Sequence, residues 1–210
     1  MRRLFLALCA GVGTLVAGCT SGHISAATTT IPTTASTPVP TTVSTDGTAA
    51  TPNPDVIPAV ITPAYVNAVF AVLNHINGDA VRALLAANAV TPTVKRDLRA
   101  IFNDPLYAEE VNILQESLST GLSGIRQPPG DRVTTVISLI DGTNTCIFAA
   151  TKTDFGAVLL KDPAPAAAEY YSLGPKQAHH DPYHLNSTPW AFSFNATYMS
   201  PTTIPDQCAA

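Results

Sequence analysis

The densest set of side chains able to do chemistry is His179-His180-Asp181-Pro182-Tyr183-His184, three imidazoles and a carboxylate within six residues. Those donors suit zinc, which needs three or four ligands converging at about 2.0–2.2 Å. Pro182 and the following Asn186-Ser187-Thr188-Pro189 mark a loop, and a loop alone fixes no convergence. His179, His180, Asp181 and His184 are therefore candidate ligands, but the sequence favours an exposed polar loop with no metal and no cofactor. His75 belongs on the polar side of a helix.

Other chemistries need more than the chain supplies. Glu109, Glu110 and Glu116 suggest the carboxylate pair of a glycosidase, which needs two acids on opposite sides of a sugar bond. On one helix these acids point apart, so they read as first-turn partners of the helix dipole followed by a solvated face. Gly121-Leu122-Ser123-Gly124 falls short of a nucleophile elbow because Ile125 stands where the last glycine belongs. No dinucleotide fingerprint and no phosphate-cradling glycine loop occurs. Lys95, Arg96 and Arg99 form a small basic group that could face anionic headgroups; Asp97 interrupts it, and a solvated face is the simpler reading.

Upstream, Arg2 and Arg3 precede an apolar run from Leu4 to Val16, which ends in Val16-Ala17-Gly18-Cys19. This stretch resembles the lipobox of bacterial lipoproteins, and the resemblance implies cleavage before Cys19 and a diacylglycerol on its sulfur. Residues 1–18 are then a signal peptide, too short in its apolar part to span a bilayer. The expected location is the extracytoplasmic face of the cell membrane, and the expected membrane partner is the bilayer itself, held through the N-terminal diacylglycerol. Two acyl chains suffice for a stable anchor. Whether export follows the general or the twin-arginine route is open, because Arg2-Arg3 has only part of the latter signal.

Residues 19–58 are the anchor and a Thr/Pro/Ser-rich linker: Thr20 to Pro58 holds 12 Thr, 4 Ser and 6 Pro. So few large apolar side chains cannot offset ordering entropy, which predicts disorder. Such tracts are also substrates for O-glycosylation. Loss of the two signal arginines takes the formal charge from −4 to −6, a balance that argues against a nucleic-acid partner. Cys9 leaves with the signal and Cys19 takes the lipid, so Cys146 and Cys208 remain to pair in an oxidising compartment.

Residues 59–210 have the length of one domain. Thr62-Pro63, Thr91-Pro92 and Asp104-Pro105 each place a capping oxygen before a proline, a helix-start device. The spacing predicts a helix over 63–76 stopped by Asn77-Gly78, a second capped by Asp79 and stopped by Asn88, a third carrying Val94, Leu98, Ile101 and Phe102, and a fourth from Leu106 to Leu118. Beyond Gly130 the period becomes two. Strands are expected over 132–140, 144–151, 155–160, 168–173 and 190–198. Helices followed by strands define an α+β domain, with N-terminal helices packed on a curved antiparallel sheet of four to six strands.

The stretch from Tyr65 to Val90, two helices joined by Asn77-Gly78-Asp79, is similar to the opening of nuclear transport factor 2-like (SnoaL-like) domains. That resemblance implies helices closing over a curved sheet to leave a pocket. The inward strand faces read as aliphatic and aromatic with almost no charge. This favours a non-catalytic domain binding a small molecule, lipid or envelope protein. The alternative is a pocket hydrolase or isomerase using Asp141 or Asp154 with a histidine. Two or more buried ionisable groups converging in one cleft would reverse that preference.

Overall fold

A computed structural model of the chain describes residues 51–161, 168–196 and 207–208. The signal peptide, Cys19, the linker up to residue 50 and the end of the last expected strand, including Tyr198, lie outside the described residues.

Helix α1 runs unbroken over Pro63–Ala87, with Thr62 Oγ1 accepting from the Tyr65 N–H at 3.2 Å. Asn77-Gly78 does not stop it, and two expected helices are one. The reason is packing: a Cβ on Gly78 would lie 2.0 Å from Asp131 Oδ1. Gly78 is thus a notch that admits a carboxylate, not a turn. Asp131 is held over it by His75 at 2.8 Å and Arg82 at 2.9 Å. Asp79, expected as a cap, instead pairs with Arg82 within the helix at 2.8 Å. Asn88 ends α1 in the left-handed region, φ 47°.

Helix α2 spans Pro92–Ile101 with Thr91 capping Val94 at 3.3 Å, and α3 spans Leu106–Thr120. Asp104 makes no cap; α3 starts without a side-chain capping bond. Asp97, read as part of a solvated face, is buried and held by Arg96 at 2.7 Å.

Four strands follow: β1 Val133–Gly142, β2 Ile147–Asp154, β3 Glu169–Pro175 and β4 Trp190–Ala196. They form one antiparallel sheet in the order β1-β2-β3-β4, so the protein is α+β. Residues 155–160 make no strand; Val158 and Leu159 instead turn inward onto Val81 and Ile125. β1 carries two irregularities against β2, leaving Ile137 and Ile140 without partners in register. Each adds a residue, bends the strand and increases its twist. They also change facing: Leu139 turns to the core while Ile137 and Ile140 stay exposed.

The core lies between the helices and one sheet face. Trp190, Tyr65, Phe70, Phe192, Leu73, Leu98 and Ile101 are fully buried there, each contributing about 1.5–3 kcal/mol. The polar edges of the aromatics are satisfied, since Trp190 Nε1 donates to Tyr65 Oη at 2.9 Å. On the other sheet face Phe148, Ala150 and Tyr170 pack with Phe194 and Cys208.

Cys146 and Cys208 are disulfide-bonded, with their Cα atoms 5.5 Å apart. The link closes a 62-residue loop, worth about 4 kcal/mol in the chain-entropy account. Replacing both cysteines by serine should lower the melting temperature by about 10 °C, measured by calorimetry; an unchanged transition would show that the bond adds no stability.

Candidate functional site

The sheet face beneath the helices is not the apolar surface the alternation implied. Arg132, just before β1, is 7% exposed, and its Nε donates to Asn74 Oδ1 of α1 at 2.7 Å. Asn74 Nδ2 donates to Thr134 Oγ1 at 3.0 Å, and Thr134 Oγ1 lies 3.3 Å from Thr153 Oγ1. Thr153 donates in turn to Glu169 Oε2 at 2.5 Å, and Tyr171 Oη donates to the same oxygen at 3.1 Å.

The two ends fix the direction of every bond between them. A guanidinium only donates and a carboxylate only accepts, so Thr134 gives its hydrogen to Thr153. The result is one polarised chain from cation to anion across α1, β1, β2 and β3, each link strengthening the next. Asn74, Thr134, Glu169 and Tyr171 are all buried. Burial pushes the Tyr171 phenol well above its ordinary range, and nearby Glu169 adds to this; it stays a donor at any physiological pH.

Two further groups border the chain. Glu110 of α3 is 1% exposed, and burial raises its carboxyl to about 7 despite the opposing charge of Arg132. Among the described residues its Oε2 has no hydrogen-bond partner. On β4, Asn195 sits opposite Tyr171, and its buried Oδ1 is also without a partner among the described residues. Sequence alternation missed Asn195 because β4 slips by one residue at Ser193, which sends Phe194 to the outer face and Asn195 inward. Glu110 was missed because an acid beside Glu109 reads as surface. The expectation of a nearly uncharged inward face is therefore corrected: Arg132, Glu110, Glu169 and Tyr171 are all ionisable and buried.

The candidates named from sequence fall elsewhere. Asp141 and Asp154 each accept the N–H of a following glycine, at 2.6 and 2.8 Å, so both serve turns. Ser123 is exposed in the turn after α3. Arg99 stacks on Tyr107 at 4.7 Å, so it is not a free headgroup contact.

The histidine loop is not simply exposed. His180 and Asp181 are buried, whereas His179 and His184 face solvent. Asp181 is fully engaged: Oδ1 accepts from Leu185 N at 2.8 Å, and Oδ2 from Asn186 N and Lys176 Nζ, both at 3.0 Å. His180 meets Asp104 instead, Nε2 to Oδ2 at 3.1 Å. The loop's four donors thus do not converge on one another.

Fold and site together define an α+β domain with a charged hydrogen-bond chain enclosed in its core. Comparison with known proteins finds no matching family model, no similar curated protein and no similar solved structure. Among the described residues no helix is long and apolar enough to cross a membrane.

Glu110 gives a pH signature. Its proton is held to about pH 7 when folded, against 4.5 ordinarily, so the folded state binds more protons in that window. Stability should fall as pH rises through it, by up to about 3 kcal/mol. In urea titrations at pH 5 and pH 8, Glu110→Gln should abolish the difference; an equal loss in the variant would assign the effect to another group.

Proposed function

We propose that this protein is a membrane-anchored binding lipoprotein of the extracytoplasmic face. Cys19 carries the diacylglycerol, the Thr/Pro/Ser-rich segment spaces the domain from the bilayer, and the domain holds a small polar molecule at the Arg132 chain. The disulfide between Cys146 and Cys208 supports an oxidising compartment. The burial of Arg132, Glu110 and Asn195 supports an interior site.

One observation carries the binding reading: two buried acceptors, Glu110 Oε2 and Asn195 Oδ1, have no partner among the described residues. Each costs about 1–3 kcal/mol unsatisfied, and a molecule bearing hydroxyl or amide hydrogens removes that cost. Arg132 has five N–H donors, so an anionic group on the same molecule has a partner beside them. Enclosed atoms of this kind favour a small molecule over a lipid chain or an envelope protein.

A second reading, a hydrolase or isomerase, rests on Glu110, whose pKa of about 7 suits an acid–base catalyst. Convergence of buried ionisable groups favours it. Against it, Glu169, Tyr171 and Thr153 hydrogen-bond to one another, so they are spent on structure and leave one acid without a nucleophile.

Native mass spectrometry of the full chain tests the binding reading. A small molecule should accompany the native protein and be lost from Asn195→Leu; identical, unliganded masses in both would refute it. Labelling cells with a palmitate analogue tests the anchor. Label should enter the native protein and not Cys19→Ala, and equal labelling of the two would refute lipidation at that residue.

A further inference from the structure

We infer that Asp104, His179 and His180 form a three-ligand site for a divalent cation of the zinc class, distinct from the interior chain. Asp104 lies between α2 and α3, and the histidines lie on a short 3-10 turn at Ala178–His180. Their ligand atoms all fall within 4.8 Å of one another. A tetrahedral ion with bonds near 2 Å wants its ligands about 3.4 Å apart. His180 Nε2 and Asp104 Oδ2, at 3.1 Å, are already that close. His179 and Asp104 are exposed, so rotation of surface side chains closes the remaining gap.

The hydrogen bonding of His180 points the same way. Its Nδ1 lies 3.0 Å from the backbone oxygen of Phe102, which only accepts, so Nδ1 carries the hydrogen. In the neutral ring Nε2 then presents a lone pair, and it faces a carboxylate oxygen that presents another. A metal ion held by both atoms, 3.1 Å apart, satisfies the pair. A ligating histidine ordinarily donates its other N–H to a carbonyl or carboxylate, as His180 does here.

The donor set selects the ion. Two imidazoles and one carboxylate suit zinc and its neighbours, while magnesium and calcium require oxygen-rich sites. With two ligands at the surface, water completes the coordination. Asp104 is available because it does not cap α3, and Asp181 and His184 take no part. The ion would clip the Ala178–His180 turn to the α2–α3 turn, joining segments 76 residues apart.

Calorimetric titration of the metal-stripped full chain, made without a histidine tag, tests this with zinc and magnesium ions as probes. Native protein should bind one zinc ion, gain melting temperature with zinc, and ignore magnesium. Asp104→Ala and His179→Ala, both at exposed positions, should weaken zinc at least tenfold while keeping the native far-UV spectrum; His184→Ala should bind as native does. Absence of zinc binding by the native chain, undiminished binding by Asp104→Ala, or an equal loss in His184→Ala would overturn the assignment.

Discussion

Arg132 is a permanent cation withdrawn from water, and the inside of this domain is arranged around that fact. A buried charge is tolerated when it is paired and its hydrogens are used. Here Asn74 takes the Nε hydrogen, the Phe192 ring lies beneath the guanidinium at 5.9 Å, and an ordered series of donors leads on to Glu169. Each intermediate side chain accepts from one neighbour and donates to the next, which strengthens every bond in the series. Removing one link leaves two buried groups unsatisfied rather than one.

The backbone irregularities make that arrangement possible. Thr134 and Val136 share the inward face by plain alternation, and the first β1 slip brings Leu139 to that face as well. The β4 slip brings Asn195 to the same face and sends Phe194 to join Phe148 and Tyr170 on the other. Cys208 packs on that second cluster, so the disulfide braces the outer face while the charged chain organises the inner one. Gly78 works at closer range, letting the residue next to Arg132 lie directly against α1.

Much of the architecture was legible because it rests on local chemistry. Thr62-Pro63 and Thr91-Pro92 start helices, Asn88 ends one, and the shift to period two marks the sheet. The pairing of Cys146 with Cys208 followed from elimination. What was not legible depends on partners distant in sequence. Gly78 looks like a stop until Asp131 fills its notch, and Asp104 looks like a cap until His180 claims it. Strict alternation cannot register a bulge; it would put Phe194 on the face of Trp190 and Phe192 and Asn195 on the other, the reverse of what the slip produces. Glu110 carried no sequence signal, since only the fold places Arg132 near it.

The central claim is that Arg132 and Glu169 act as one unit through side chains that lie between them. A double-mutant cycle measures this directly, using Arg132→Met, Glu169→Gln and the combined variant in urea denaturation at pH 7. The account predicts a coupling energy of at least about 1 kcal/mol, since linked networks depart from additivity by roughly 0.5–3 kcal/mol. Single-variant losses that add within about 0.3 kcal/mol would mean that the two charges are stabilised separately, and the continuous chain would have no energetic reality.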